Sequence, residues 1–403
     1  MRQLLLFVVL LCLTALPVHG QDEIPSLSDA ASVSMVTILP GPSVEALFGH
    51  SALRVEDPEL DIDRLYNYGT FDFDDPFFIP KFLYGDLQYF LSVSDGSWLP
   101  RYASQFGRPV VEQHLQLSQH QTQQIFEFLE VNARPENRYY RYDFYFDNCS
   151  TRILDLFEDV LGDEVDFNYT GELTSSTFRD LLRPYIIGQR HVQSGMNVLL
   201  GLPSDERATD REWGFLPDHL YDLFDQGEVM IDGAAVPLVT ETDTVAWVEG
   251  YERPEPGIDW VALLGWLVAI WSGVLAYREW RSPECIATRL HRWFDGVFLF
   301  VAGLIGLALT FLWTISLHTV THPNLNVLWA WPTHILLLPW LLRARPQPWQ
   351  RVYLAVACIV AALVVIAWAL LPQDLPAVAL PLSLALAIRT GSRWHHGGGH
   401  LSG

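Results

Sequence analysis

The stretch YFDNCSTRILDLFEDVLG, residues 145–162, predicts a helix that begins at a cysteine. Apolar residues recur at helical spacing through it: Ile153, Leu154, Phe157, Val160 and Leu161. Asn148 or Ser150 suits the N-cap and Gly162 suits the C′ position, so Cys149 lies at the predicted N-terminus. The positive helix end stabilises a thiolate, and N–H groups around Asn148 and Ser150 can form an oxyanion hole. Cys149 therefore has two features that a thiol nucleophile needs.

The N-terminal residues 1–20, MRQLLLFVVLLCLTALPVHG, predict a cleaved signal peptide. A positive residue precedes an apolar run, and small residues precede Gln21. We expect an exported domain over residues 21–240, in which Cys149 is the one cysteine, since Cys285 and Cys358 lie further along the chain. Export permits disulfides, but Cys149 has no partner in that domain. An unpaired exported cysteine is either a buried small hydrophobe or a reactive thiol.

The charge of the chain is unevenly spread. The formal net charge is -22, yet the part after Gly257 has nine arginines against five acidic residues. The excess acid therefore lies in the first part, which argues against nucleic-acid binding. The sequence contains no metal or cofactor motif, so we expect neither.

Residues 21–240 have the pattern of an α+β domain. Strands are predicted over 34–39, 50–57, 64–73 and 110–117, with a possible bulge at Gly69. In the second, Leu53 and Val55 alternate with His50, Ala52 and Arg54, as in a half-buried strand. Helices are predicted from Ser118 and over 174–186.

A thiol enzyme also needs a base, most often histidine. The exported domain offers five histidines, at positions 50, 114, 120, 191 and 219. His50 follows FG and opens a strand, which makes it the best candidate. A structural role is the alternative for any single histidine.

The polar stretch 241–257 predicts a linker, and residues 258–390 predict an all-α transmembrane bundle of four or five helices. Apolar segments cover about 259–277, 293–317, 325–342, 352–371 and 375–388; prolines interrupt the fifth. Arginines cluster in the loops after the first and third segments and after the fifth. The positive-inside rule places those loops and the tail, residues 391–403, in the cytoplasm, and the exported domain outside.

Five stretches resemble one protein family. They are FGHSALRV (48–55), YNYGTFDF (66–73), ENRYYRYDFYFDNCSTR (136–152), LLGLPSDERATDREWGFLPDHL (199–220) and SLHTVTHPNLNVLWAWPTH (316–334). They resemble the Lnb family, which is described as a lipoprotein N-acyltransferase of bacterial envelopes. The resemblance implies transfer of an acyl chain from a phospholipid to the N-terminal amine of a lipoprotein. It also implies a multi-pass protein of the bacterial inner membrane, with the catalytic domain on the periplasmic side.

The order of a histidine on an early strand and a later cysteine also resembles circularly permuted NlpC-type domains, which are papain-like thiol enzymes. This resemblance implies that Cys149 is the nucleophile and His50 the base. The third, orienting group would come from the strand after the histidine strand. Asn67 is the first choice, with Tyr68 and Asp72 as alternatives.

Further polar residues are candidates for substrate binding. Four arginines can hold a lipid phosphate or form surface salt bridges: Arg54, Arg138, Arg141 and Arg152. Near the outer ends of the second and third membrane segments, five residues either face the bundle interior or form a wet loop: His318, His322, Asn324, Asn326 and His334.

Two other functions stay open at this point. A thiol peptidase or amidase acting on cell-wall peptide would use the same residues, although it needs only one membrane anchor. A non-catalytic lipid- or lipoprotein-binding module would leave Cys149 merely buried.

Overall fold

The computed structural model describes residues 24–72, 75–86, 88–253, 255–343 and 347–396. The predicted signal peptide, residues 1–20, lies outside the described residues, as do residues 397–403 of the predicted tail.

The soluble domain contains one large antiparallel sheet and two small ones. The strands are β1 (Ser32–Ile38), β2 (His50–Asp57), β3 (Ile62–Thr70), β4 (Gln88–Asp95), β5 (Val110–Leu115), β6 (Tyr139–Arg141), β7 (Val165–Asp166), β8 (Leu173–Thr177), β9 (Arg207–Thr209), β10 (Glu228–Ile231), β11 (Ala234–Pro237) and β12 (Val239–Ala246). The large sheet has the order β12-β5-β1-β2-β3-β4-β6. The four predicted strands are therefore present, and the predicted bulge is the register shift between Asn67 and Thr70.

Strand β2 is more buried than its alternating sequence predicts. Leu53 and Val55 pack into the main core, as expected. On the other face, Ala52 is fully buried beside Val36 and Val110. The predicted alternation holds at His50, Arg54 and Glu56, which are only partly buried, and fails at Ala52, where a second hydrophobic cluster covers the sheet.

The helices of the soluble domain pack mainly around the large sheet. They are α1 (Phe78–Tyr84), α2 (Leu99–Phe106), α3 (Gln119–Asn132), α4 (Cys149–Leu161), α5 (Phe178–Ile186), α6 (Arg190–Leu199) and α7 (Pro217–Gln226). Helix α3 begins after Ser118, which forms a capping box with Gln121, as its sequence predicts. Helix α5 is shorter than predicted because residues 173–177 form strand β8, which pairs with β9.

The predicted linker, residues 241–257, begins too early. Residues 239–246 form β12, which pairs with β5 at the edge of the large sheet. The segment is polar because an edge strand is largely exposed, and its alternating threonines and valines favour an extended chain. The connection to the membrane region is therefore shorter than its composition suggests.

The C-terminal region is helical. Its helices are α8 (Trp260–Arg281), α9 (Arg289–Thr314), α10 (Thr333–Leu336), α11 (Leu338–Leu341), α12 (Pro348–Ile366) and α13 (Ala379–His396). Within the described residues, three of them are long and apolar enough to cross a membrane: α8, α9 and α12. An α+β domain with antiparallel sheets, followed by a helical region with candidate membrane helices, agrees with the predicted fold class.

Two predicted membrane segments differ from the structure. Residues 325–342 do not form one long helix, because prolines at 332 and 339 interrupt it and leave only short helical turns. This segment packs tightly against α9, where a Cβ on Gly306 would clash with the Ala330 carbonyl. The predicted fifth segment, residues 375–388, corresponds to α13, which runs on to His396. The first residues of the predicted tail are therefore helical.

The soluble domain docks on one end of these helices. Gly201 N–H donates to Val320 O (2.9 Å), Leu202 N–H donates to Pro323 O (2.8 Å), and Leu317 N–H donates to Tyr84 O (2.7 Å). By the course of the chain, this end lies away from the arginine-rich loops, as the positive-inside pattern predicts.

A buried ionic cluster joins α8, α9 and α13 near their other end. Arg389 donates to Asp295 Oδ1 (2.6 Å) and to Glu279 Oε1 (2.6 Å). Arg393 pairs with Asp295, and His291 contacts Glu279. Because both carboxylates are paired, the buried charges are compensated.

Candidate active site

Cys149 is the first residue of α4, as the sequence predicts. Asn148 is the N-cap residue, and its Oδ1 accepts from Ser150 N (2.8 Å) and Thr151 N (3.1 Å). Its Nδ2 donates to the Phe144 carbonyl (2.9 Å) and the Phe215 carbonyl (3.0 Å). The helix start is thus fixed to two neighbouring segments, and the half-buried thiol of Cys149 is held at the electropositive end.

His50 lies beside this thiol. It is the first residue of β2, and its Nε2 is 2.6 Å from Asn67 Oδ1 on the adjacent strand β3. The imidazole also lies close to Cys149, since a Cβ on Gly69 would contact both side chains. Since Nε2 is occupied by Asn67, Nδ1 is the nitrogen available to the thiol. The structure therefore brings together the three residues ranked first from sequence: Cys149, His50 and Asn67.

Gly69 lies beside this contact. It adopts a φ of +98°, at the bulge that follows Asn67 in β3. A Cβ at this position would lie 3.4 Å from His50 Cε1 and 3.7 Å from Cys149 Cβ. These are ordinary van der Waals distances, so it is the positive φ that favours glycine here.

The electrostatics of the pair favour a thiolate. Burial opposes ionisation of Cys149, but the charge and hydrogen bond of His50, with the backbone N–H of Ser51, lower its pKa to about 7. Burial likewise acts against the charged form of His50. The charge of the thiolate and the hydrogen bonds that the imidazole donates to Cys149 and Asn67 outweigh burial and raise the pKa of His50. The two groups therefore form an imidazolium–thiolate pair near neutral pH.

The predicted oxyanion donors are used differently. The Ser150 N–H and the Asn148 side chain are engaged in the helix cap, so neither is free to hold an oxyanion. The Ser150 hydroxyl contacts Ser51 Oγ (3.2 Å) and lies 3.9 Å from Cys149 Sγ. As the first helical residue, Cys149 has a backbone N–H without an intrahelical acceptor, and this group is the better donor.

Sequence reasoning missed three tyrosines around the thiol. Tyr89 and Tyr140 are paired on β4 and β6, and Tyr142 follows two positions after Tyr140. Burial raises the pKa of all three phenols, with the charge of Cys149 as a further cause. The Tyr140 hydroxyl is buried and has no hydrogen-bond partner within the described part of the chain. The tyrosine-rich stretch 139–145 was the signal that could have found Tyr140 and Tyr142.

The alternatives for the third group lie elsewhere. Tyr68 is buried on the opposite face of β3, where its hydroxyl donates to Asn132 Oδ1 (2.6 Å). Asp72 is exposed on the segment after β3. In the described residues, no group of three or more His, Cys, Asp or Glu side chains is arranged to hold a metal ion.

Three of the four candidate arginines are engaged in contacts. Arg54 pairs with Asp63, Glu112 and Glu56. Arg152 pairs with Asp147 and lies 4.2 Å above the Tyr140 ring. Arg138 packs over Phe90 and Tyr139, 5.0 Å from each ring. Arg141 is exposed.

The candidate residues near the membrane mostly connect the two parts of the chain. Asn324 Nδ2 donates to the carbonyls of Val198 (2.8 Å) and Leu199 (3.1 Å), at the end of α6. Asn326, also fully buried, donates to the Asn197 and Val198 carbonyls. Both asparagines are thus committed to docking, which argues against direct substrate binding.

The three candidate histidines of this region differ in their contacts and in how deeply they are buried. His318 Nε2 lies 2.8 Å from the Phe82 carbonyl of α1. His334 is buried against Tyr353, whereas His322 is half-buried in the docking loop.

Comparison with known families covers both parts of the chain. A family model of the Lnb N-terminal periplasmic domain matches residues 21–184, and one of the Lnb transmembrane domain matches residues 262–396. No curated protein and no solved structure matches the chain significantly. The matches account for both the domain that contains Cys149 and the helices on which it docks. The chain belongs to the Lnb family and is a membrane protein with a periplasmic part.

Proposed function

We propose that this protein is a membrane-bound lipoprotein N-acyltransferase that works through a thioester on Cys149. The observation that carries the proposal is the Cys149–His50–Asn67 arrangement, in a domain docked on membrane helices. Membership of the Lnb family supports it. The acyl donor is a phospholipid, and the acceptor is the N-terminal amine of a bacterial lipoprotein. The protein lies in the inner membrane as a multi-pass protein, with Cys149 on the periplasmic side.

In the first half-reaction, the Cys149 thiolate attacks the carbonyl carbon of the donor ester. The negative charge that develops on the carbonyl oxygen is held by the Cys149 N–H and the Tyr140 hydroxyl. The C–O bond to the glycerol then breaks, and the leaving oxygen takes a proton from the His50 imidazolium. The products are a lysophospholipid and an acyl thioester on Cys149.

In the second half-reaction, the lipoprotein amine attacks the thioester carbonyl. His50, now neutral, accepts a proton from the attacking nitrogen, while the C–S bond breaks and returns the thiolate. Asn67 holds the imidazole in the orientation that serves both steps, because it bonds the ring nitrogen away from the thiol. A thioester suits this chemistry, since amines attack it readily.

Transfer requires that the amine reaches the thioester before water does. Aromatic rings surround the thiol, and the domain is joined by backbone hydrogen bonds to the membrane region, where both lipid substrates reside. These features favour transfer over hydrolysis. They also favour a lipid substrate over the cell-wall peptide that a thiol peptidase would cleave.

The decisive experiment expresses variants in a bacterial strain that lacks its own lipoprotein N-acyltransferase. Mass spectrometry of lipoprotein N-termini then reports acylation. We expect Cys149→Ser and His50→Ala to abolish it, whereas Cys285→Ser, a cysteine outside the site, leaves it intact. If Cys149→Ser still supports acylation, the thioester mechanism is wrong. If the wild type acylates nothing but cleaves wall peptides, the peptidase reading replaces the proposal, and a chain active in neither assay points to a binding module.

A further inference from the structure

An apolar cavity of about 220 Å³ lies where the soluble domain meets the membrane region. Its walls come from four separate segments: α1, the residues after β6, the end of α6, and the loop after α9. The apolar side chains that define it are Phe82, Tyr142, Phe144, Met196, Leu199 and Val320. Neither the catalytic contacts nor the docking hydrogen bonds account for this space.

Two residues that line the cavity pack against the surroundings of the candidate site. Tyr142 forms one wall, and its ring stacks on Tyr89 at 4.4 Å. Burial raises the pKa of both phenols, and the charge of Cys149 is a further cause in each. Phe144 forms another wall and contacts Phe48 (ring centroids 5.4 Å apart), two residues before His50. Tyr142 and Phe144 therefore lie between the cavity and the segments that carry the candidate site.

The opposite side of the cavity faces the membrane end of the protein. Helix α1 is joined there to the loop after α9, through Leu317 N–H and the Tyr84 carbonyl (2.7 Å). This short helix exposes large apolar side chains: Phe77 before it is 64% exposed, Ile79 is 62% exposed, and Leu83 is 51% exposed. Such a surface beside membrane helices is suited to the lipid interface.

The polar residues around the cavity differ in whether they have a bonding partner. Asp143 is satisfied, because it accepts from the Tyr145 and Phe146 N–H groups and from the Thr319 hydroxyl. His318 is bonded to the Phe82 carbonyl. Arg141 is exposed at the rim and forms no ion pair with any described residue. A free guanidinium beside an apolar cavity matches a phosphate next to a hydrocarbon chain.

We propose that this cavity holds the fatty acyl chain of the phospholipid donor, with Arg141 contacting its phosphate, so that the ester carbonyl is presented to Cys149. The inference rests on the proposed acyltransferase function and names the acyl site and its chain-length determinant. A phospholipid fits better than the diacylglyceryl group of a lipoprotein, because only the phospholipid carries the phosphate that Arg141 would recognise. Met196 and Leu199 then set the longest chain that fits.

The test measures acyl transfer to a lipopeptide from phospholipids of graded chain length, using full-length protein in vesicles. Burying one methylene strengthens binding about fourfold, so kcat/KM should rise with chain length until the cavity is full. Met196→Trp should reach its plateau about two methylenes earlier and lose about 16-fold on the longest donors. Gly195→Trp is the control, since this neighbouring position on α6 faces open space. Equal chain-length profiles for the two variants would overturn the inference.

Two further measurements separate this inference from the proposed function. Acylation of Cys149 by a short soluble ester reports whether the nucleophile works without the cavity, and Met196→Trp should retain it. A photoreactive phospholipid chain should label peptides containing Tyr142 or Met196 in the wild type. Labelling by a photoreactive lipopeptide instead would assign the cavity to the acceptor and refute the donor assignment. If the wild type forms no acyl-enzyme from any lipid, the proposed function itself fails.

Discussion

Replacing His50 with alanine should remove most of the thiolate character of Cys149 at neutral pH. In the wild type, burial raises the pKa of the thiol, but the charge and hydrogen bond of His50 bring it down to about 7. At pH 7, roughly half of Cys149 is then thiolate. Without His50, burial remains, and the pKa should rise above the ordinary value of about 8.5.

The size of the effect follows from these two values. A thiol with a pKa of about 8.5 is only about 3% ionised at pH 7, so the thiolate fraction falls at least about 15-fold. This corresponds to roughly 2 kcal/mol of lost thiolate stabilisation. The wild type has the larger thiolate fraction, because its lowered pKa means that the thiol is already mostly ionised just above pH 7. The difference between the thiolate fractions of the two proteins therefore persists below pH 7 and vanishes only above about pH 10, well above the pKa of the variant thiol.

The assay is the rate of alkylation of Cys149 by iodoacetamide between about pH 5 and 10. Mass spectrometry of the peptide containing Cys149 reports this residue alone, so Cys285 and Cys358 need not be replaced. A wild-type midpoint near 7 and a His50→Ala midpoint above 8.5 are expected. A variant midpoint that stays near 7 would refute the argument that His50 activates the thiol.

Three further predictions concern the supporting residues. Gly69→Ala should cost about 1–2 kcal/mol through its positive φ, so the midpoint of thermal melting should fall; an unchanged midpoint would contradict the argument from backbone strain. Asn67→Ala should lower the pKa of His50, seen as a downward shift of the alkaline limb of the acylation pH profile, and an unshifted limb would remove Asn67 from the mechanism. Tyr140→Phe should reduce kcat by about 10²-fold with little change in KM, whereas a full-rate variant would exclude its hydroxyl as an oxyanion donor.

The membrane region supports one more prediction. Arg389→Met leaves two buried carboxylates short of their partner and should cost about 3–5 kcal/mol, measured by thermal unfolding in detergent. The exposed Arg292→Met is the matched control and should lie within about 0.5 kcal/mol of wild type. Equal melting of the two variants would show that the buried cluster does not hold the helices together.

Local patterns predicted the elements that hold the site but not all of their surroundings. The apolar spacing of residues 153–161 and the capping residues predicted α4, because helix periodicity and capping are local properties. Composition failed at residues 239–246, where a polar edge strand has the same sequence character as a linker. It failed again at residues 325–342, since hydrophobicity alone does not show that prolines divide an apolar segment.

The sequence by itself predicted Cys149 and His50 as a candidate site, together with the strand that carries Asn67. Tertiary structure decided which residue of that strand meets His50. Successive side chains of a strand point to opposite faces, so Asn67 reaches the imidazole while Tyr68 points into the core. Tertiary structure also decided that the side chain of Asn148 caps the helix, and that Asn324 and Asn326 join the two parts of the chain. It placed Tyr140 and Tyr142 near the thiol. These are contacts between segments distant in sequence, and local periodicity carries no information about them.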